Sequence, residues 1–550
     1  MTYIRDFING ANVSSAVEAA LQAALNSDRT LYFPAGEYHF YPEGCKQKFC
    51  YFSNNDSGVK TVAFLLENLD NFTIAGEDAK LIFHGRISPL CAFNCRDLTI
   101  SGLTVDFEDS FVSDADLVRR ENKVAWFRFY GQHAVKNGRI TFTGDFYDNL
   151  NGTLPFFCYN AEKKELHDVP PVTVANRNVL YQDGLIGLED RFAGFPADTF
   201  VVKHERRLCP GMVFDGCENV LISRVTLHHA AGMGFLIQNS ENCSVCDSKV
   251  IPSWRRTAVS DDALHITDCR GKIRIDNCLL AGTLDDSINV HGVFRKLKCR
   301  IPGGKMYYLE AGHFQQQGIF NIRPGDEVQL FDRKTGEIYA TLHLTGVSPL
   351  QPAFIRVFFD ENELPADRFV QGDPALITGT LAELEVTNTR CAPLNGRGVL
   401  ASGLKKVRIS GNHFHTAGAG VFISGDYSFW YESGPVERAV IENNFFDNCD
   451  YRSGGATQEP LAVFPELASL KEGYFYHGKI SVLNNRFRAA GRPLVSIMSA
   501  AEAEVAGNTY EADESYIFNP RTEAGYFFTT ADSPKAAFCH CGKIIDKNNW

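Results

Sequence analysis

The stretches KVRISGNHFHTAG (406–418), RAVIENNFFDN (438–448) and KISVLNNRFRAAG (479–491) decide the fold. Each is an alternating β-type segment followed by a small or asparagine-bearing turn and a second apolar pair. The unit recurs upstream as NFTIAGED from Asn71, DLTISGLTVDF from Asp97, NVLISRVTLHH from Asn219, NCSVCDSKV from Asn242 and KIRIDNCLLAG from Lys272. Phe72 to Leu98 is a step of 26 residues, Val220 to Cys243 one of 23 and Ile480 to Val505 one of 25. A unit of two or three short strands cannot bury its apolar side alone, so neighbours must stack into a continuous core. The spacing therefore predicts an all-β chain, a right-handed parallel β-helix with one coil per roughly 22 to 30 residues.

Asparagines at the turns (Asn412, Asn443, Asn444 and Asn484) suit the left-handed backbone of a sharp corner and offer amides to neighbouring backbone. The N-terminal SSAVEAALQAALNSD has helical periodicity, with Ser14 or Ser15 as N-cap, and is expected to cap the open end of the solenoid. Two stretches break the repeat, around NGRITFTGDFYDNLNG and around RPGDEVQLFDRKTGEIYATLHL, and read as inserted small antiparallel β subdomains, the second barrel-like. The expected organisation is a cap and first coils over 1–107, an insertion over 108–210, central coils over 211–294, a second insertion over 295–390 and C-terminal coils with a tail over 391–550.

Composition narrows the function by exclusion. Lys and Arg total 54 against 66 Asp and Glu, a formal charge of −12, which opposes long-range attraction to nucleic acid or anionic membranes. The opening MTYIRDFINGANVSSAVEAALQ lacks the pattern of a secretory signal, and no apolar run reaches the length of a membrane span. Most of the 16 cysteines sit singly inside strand-like stretches and read as buried thiols, which favours a reducing cytoplasm. Removal of a signal peptide would instead place the protein in the periplasm or outside the cell. The Cys539, His540, Cys541 trio has no second pair at ligand spacing, so no metal and no cofactor is expected.

The chemistry is expected at SDDALHITDCRG and TLDDSINVHG. Asp262 and Asp286 are 24 residues apart, one coil, so equivalent carboxylates should stack about 4.8 Å apart at the backbone. Stacked carboxylates repel, and one is driven to keep a proton beside an ionised partner, which is acid and base machinery for a glycosidase. Isolated Asp pairs more often cap polar corners or bind calcium; here two pairs lie one coil apart, each followed by alternating apolar residues and a histidine. Asp285 and Asp286 point to opposite sides of a strand unless the corner bends. Asn289 and His291 are candidate donors to sugar hydroxyls. Trp430 and Tyr431 are candidate stacking platforms, with Glu432 beside them as a third acid or hydroxyl acceptor. His229 is a weaker candidate contact, and Trp254, Arg255 and Arg256 are expected at the pocket rim.

The runs AAGMGFLIQ from Ala230, DALHITDCRGKI from Asp262, LDDSINVHG from Leu284 and SGDYSFWYESGPVERAVIENN from Ser424 resemble glycoside hydrolase family 110, α-1,3-galactosidases on a pectin-lyase-like parallel β-helix. The resemblance spans nearly the whole chain. It implies metal-independent, inverting, exo-acting removal of terminal α-1,3-linked galactose from blood group B type or linear α-galactosyl glycans. Catalytic aspartates then fall on Asp262, Asp285 and Asp286, with Asp262 as the acid and the 285/286 pair on the base side. Spacing gives that order no support: inversion wants carboxyls roughly 6.5–9.5 Å apart and retention about 5–5.5 Å, so stacking alone leans towards retention. A polygalacturonase-like hydrolase is the nearest rival, but its Gly-His-Gly and Arg-Ile-Lys signatures are absent and no basic cluster surrounds the aspartates. A non-catalytic glycan-binding β-helix is the alternative from another class. Exposed strands at the insertions leave a homodimer open.

Overall fold

The computed structural model describes residues 1–142, 152–204, 207–300, 305–360, 370–432, 434–452, 459–491, 493–516 and 534–550. The segment TGDFYDNLN of the first insertion's turn motif and Ser433 of the run from Ser424 lie outside the described residues.

The chain is a parallel β-helix with three faces. On the first face Glu218–Ser223, Glu241–Cys246, Arg270–Asp276, Ala382–Thr387 and Leu404–Ser410 pair in parallel, each with the next coil. The second face is narrow, built from pieces such as Lys249–Val250, Leu279–Ala281 and Arg390–Ala392. The third face pairs Met212–Asp215, Phe235–Gln238, Leu264–Thr267, Ile288–His291 and Val399–Ala401. Alternation within each strand builds the core: Val220 and Ile222 are buried while Leu221 between them is exposed. Phe414, Phe446 and Phe487 stack coil on coil at 5.1 and 4.7 Å between ring centroids. Phe446→Ala would open a cavity in that stack and cost about 3–5 kcal/mol.

The corner leaving the first face repeats one device. A residue in the left-handed region (Gly411, Asn443, Asn484, Gly507, Asn548) turns the chain, and the asparagine after it stacks. Asn412 and Asn444 are thus not the left-handed residues that the turn reading expects. The Asn412 amide donates to Asn444 Oδ1 at 2.9 Å, Asn444 to Asn485 at 2.9 Å, Asn485 to Asn508 at 3.0 Å and Asn508 to Asn549 at 3.0 Å.

Helix Ser14–Leu25 closes the N-terminal end, burying Val17, Ala20, Leu21 and Ala24 against the core. Its cap differs from expectation. Asn12 Oδ1 accepts the Ser14 N–H at 2.9 Å, while the Ser14 hydroxyl donates to the Tyr41 carbonyl at 2.7 Å. Between the coils, strands from Val112–Glu121 to Thr199–Lys203 form an antiparallel sheet with a core around Phe127, Phe156 and Phe200. Strands from Arg295–Arg300 to Pro374–Ile377 close into a six-stranded barrel. All 16 cysteines are free. Among the described residues no helix is long and apolar enough to cross a membrane.

Candidate active site

Leu264 pairs with Ile288 and Ile288 with Val399, so Asp262, Asp286 and Arg397 occupy one position on three successive coils. The Asp286 N–H donates to Asp262 Oδ1 at 3.1 Å, and the backbone N–H and Nε of Arg397 donate to Asp286 Oδ1 at 2.6 and 2.8 Å. Each neighbour one residue back takes part in a parallel arrangement. Arg207 donates to Asp261 Oδ1 at 2.7 Å and to Asp285 Oδ2 at 3.1 Å, and Lys203 reaches Asp261 at 2.8 Å. Lys203 and Arg207 lie on the limb by which the first insertion returns to the solenoid, so that insertion supplies the cations at Asp261 and Asp285. One oxygen from each of Asp262, Asp285 and Asp286 can be chosen so that all three lie within 4.8 Å of one another.

The electrostatics separate these carboxyls. Burial, Asp285, Asp261 and Glu432 drive Asp262 well above the usual carboxylate range, against the pull of Arg207. Burial and the neighbouring Asp285 and Asp262 push Asp286 up to about 8, although Arg397 opposes them. Asp261 is equally buried, yet Arg207 and Lys203 hold it below the ordinary value. Asp285 is the most open of the four, with its side chain 31% exposed.

The third face supplies the floor. His265 and Thr267, like Asn289 and His291 one coil on, point out of the solenoid but are buried by what folds over them. Asn289 donates to Glu432 Oε2 at 3.2 Å, and Asn54 donates to Oε1. Burial opposes ionisation of Glu432, but the His291 and His265 rings and these two amides hold it at about 2. Among the described residues Asn289 Oδ1 has no partner, which leaves it to accept a hydroxyl. Glu432 is held by the loop 426–432, which Asp426 organises by accepting the N–H groups of Ser428 at 2.6 Å, Phe429 at 3.0 Å and Tyr431 at 3.2 Å, and that of Trp430. Trp430 lies half-buried beside the Arg207 guanidinium, 5.8 Å away, and Phe429 is exposed at the rim.

These groups enclose a pocket of about 290 Å³. It contains Asp262, Asp285, Asp286, Asn289, Trp430 and Glu432 of the residues expected from sequence. Tyr431 turns the other way, its ring under Lys296 at 4.3 Å and against Gly312, because adjacent residues of the loop project to opposite sides. His229 is a core residue, stacked on Phe111 and accepting its N–H at 2.9 Å. His291 is buried behind the floor, 3% exposed, and meets His265 rather than the pocket. Trp254, Arg255 and Arg256 line a separate and larger cavity of about 650 Å³ between the first insertion and the solenoid. The Glu165 carboxylate there is engaged by Tyr516 and His415, and Asp114 Oδ2 accepts the Arg256 N–H at 3.1 Å. The sequence reading missed Asn54, Arg207, His265, Arg397 and Glu466. Glu466 lines the pocket, and burial with Asp426 nearby pushes it up to about 7.

The three clustered carboxylates are close enough to hold a cation, but Arg207 and Arg397 already bring positive charge to two of them.

No family model matches the chain. An α-1,3-galactosidase A of Shewanella woodyi is 27% identical over 88% of this chain and 81% of its own length. An α-1,3-galactosidase B of Bacteroides thetaiotaomicron is 27% identical over 92% of this chain and 83% of its own. This chain is a homologue of the α-1,3-galactosidases. An α-1,3-galactosidase A of Bacteroides fragilis extends the same 27% identity over 94% of the chain. Among solved structures, the A-module of the Azotobacter vinelandii mannuronan C-5 epimerase AlgE4 covers 100% of the chain, and 96% of that module is covered, at a TM-score of 0.41 and 10% identity. A family 28 exopolygalacturonase of Yersinia enterocolitica covers 99%, with 77% of its own chain covered, at the same score and 10% identity. Those two likenesses say nothing about chemistry.

Proposed function

We propose that this protein is an exo-acting glycoside hydrolase that releases terminal α-1,3-linked galactose from blood group B type or linear α-galactosyl glycans, by a metal-independent, inverting reaction. The observation that carries it is the stacked Asp262 and Asp286 in a pocket of about 290 Å³, just under the roughly 300 Å³ at which ligand pockets begin and suited to one sugar residue. Homology to α-1,3-galactosidases supplies the choice of sugar and linkage.

In this reading Trp430 and Phe429 meet the apolar face of galactose, while Asn289 Oδ1 and Glu432 accept its hydroxyls. Asp262, which burial and three neighbouring carboxylates drive towards its protonated form, gives its proton to the glycosidic oxygen as the bond to the anomeric carbon breaks. The Asp285 and Asp286 side takes a proton from the water whose oxygen bonds to that carbon. Arg207 and Arg397 keep the total charge of the cluster tolerable in a dry site.

One observation favours a second reading of the stereochemistry. Clustered oxygens within 4.8 Å suit the about 5–5.5 Å of a retaining pair better than the roughly 6.5–9.5 Å of an inverting one. The test is hydrolysis of Gal-α-1,3-Gal and of the fucosylated B trisaccharide by wild type and Asp286→Asn, with the released anomer followed by NMR. β-Galactose released first, and lost in the variant, supports inversion; α-galactose selects retention. No galactose from either substrate sinks the assignment, and sugar affinity that survives without turnover points to a binding protein.

A further inference from the structure

Behind the pocket floor runs a chain of three contacts that ends on a group with no proton to give. Asp262 Oδ2 meets His265 Nδ1 at 2.7 Å, His265 Nε2 meets His291 Nε2 at 3.1 Å, and His291 Nδ1 meets the Gly292 carbonyl oxygen at 2.8 Å. A carbonyl only accepts, so His291 carries its hydrogen on Nδ1; burial disfavours a second proton on the ring, against the Glu432 carboxylate 4.0 Å from Nε2, and the neutral ring presents a lone pair at Nε2. His265 must therefore donate from Nε2, and its own lone pair faces Asp262. The first contact then needs a proton, held as a carboxylic acid against a neutral ring or as a carboxylate against an imidazolium.

We propose that His265 and His291 are positioning residues that lock one proton onto the Asp262–His265 pair, so that Asp262 stays loaded as the acid. Loss of that proton leaves an unmatched pair of acceptors somewhere, whichever tautomers follow. If the rings stay as they are, the Asp262 carboxylate faces the His265 Nδ1 lone pair. If His265 switches, two Nε2 lone pairs meet. If His291 switches too, its Nδ1 lone pair faces the Gly292 oxygen. Thr267 Oγ1, 3.4 Å from His291 Nδ1, could donate there but does not relieve the carbonyl contact.

Only Asp262 borders the pocket; His265, His291 and Gly292 behind it are buried, so water does not relieve a mismatch at the rings. The charged groups facing the pair reinforce the lock. Asp261, Asp285 and Asp286 on the two aspartate coils and Glu432 on the overlying loop favour keeping the proton, against Arg207, and burial favours it on Asp262 rather than on the His265 ring. The chain holds the proton while leaving Asp262 Oδ1, which accepts the Asp286 N–H, on the side of the cluster. The inference rests on the hydrolase reading only for what the proton is used for.

Two measurements test it on the intact protein. The first is ¹⁵N-histidine NMR of wild type between pH 6 and 8, which needs no substrate. The lock requires His291 protonated on Nδ1 alone and His265 protonated on Nε2 alone, which leaves the shared proton on Asp262. A proton on His265 Nδ1, in a neutral or a charged ring, overturns it. The second is the pH profile of kcat/KM on Gal-α-1,3-Gal for His265→Asn and His291→Gln. Either amide can turn to donate or accept, which opens the lock. The alkaline limb should move at least one pH unit towards acid in both, with kcat falling and KM changing less than threefold. An unmoved limb in a variant whose circular dichroism matches wild type overturns the proposal. If His265→Asn does not fold, the His291→Gln profile and the NMR decide. If wild type releases no galactose, the hydrolase reading fails and the NMR alone judges the lock.

Discussion

The asparagine ladder and the aspartate pair use one geometry for opposite ends. Both put like residues on successive coils at a corner, within hydrogen-bond reach of their neighbours. Asn444 donates to Asn485 Oδ1 and to the Ile409 carbonyl, each at 2.9 Å, while its own oxygen accepts from Asn412. A neutral amide is both donor and acceptor, so a stack of amides satisfies itself. A carboxylate only accepts, so Asp262 on Asp286 is satisfied only when protons or cations arrive from elsewhere. Stacking is indifferent to chemistry, and one side-chain atom decides whether a corner is mortar or a reagent.

The comparison breaks most visibly if Asp286→Asn turns the reagent into mortar. Turnover should fall by about 10²–10⁴-fold, the usual worth of acid–base groups, while the fold is retained because the Asn oxygen still accepts from Arg397. Assay of galactose release with circular dichroism checks both halves.

The reverse exchange, Asn444→Asp, should destabilise the protein by about 3–5 kcal/mol at neutral pH, since it leaves an uncompensated buried charge facing carbonyl oxygens. Its folded pKa would lie above the unfolded one, so the loss should vanish below about pH 4 and grow as pH rises; urea unfolding at several pH values reads it.

Asp286 itself should show the same sign. With a folded value near 8 against about 3.9 unfolded, the folded state binds the proton more tightly. The stability this contributes is complete below about pH 4 and lost as pH rises through 8. Wild type should thus lose on the order of a few kcal/mol relative to Asp286→Asn over that window. A flat difference between the two would show that Arg397 balances the carboxylate.

Glu432→Gln keeps the shape but sets an NH₂ against one of the amides of Asn54 and Asn289. KM should rise about tenfold, roughly 1.4 kcal/mol, with kcat less affected. EDTA should leave kcat/KM unchanged; a loss restored by added cation would reassign the aspartate cluster as a metal site.

The sequence by itself determined the parts that depend on short-range period. Alternation with turn residues every 23 to 26 residues specifies coils, and a 24-residue interval between Asp262 and Asp286 puts them in register, because the interval equals the local coil. The sequence could not tell Trp430 from Tyr431, since which neighbour faces the pocket depends on how Asp426 gathers the loop. Nor could it tell the walled-in His229 from a ligand contact.

Tertiary structure alone brought in the groups that make the aspartates usable. Arg207 comes from 78 residues before Asp285, Arg397 from 111 after Asp286, and Asn54 reaches Glu432 across 378. Arg207 returns with the first insertion, Arg397 stands on the coil that follows the second, and Asn54 belongs to the first coils, separations that no local period encodes. A buried charge is stabilised by whichever partners the whole chain delivers, so the ionisation of the cluster is a property of the folded protein.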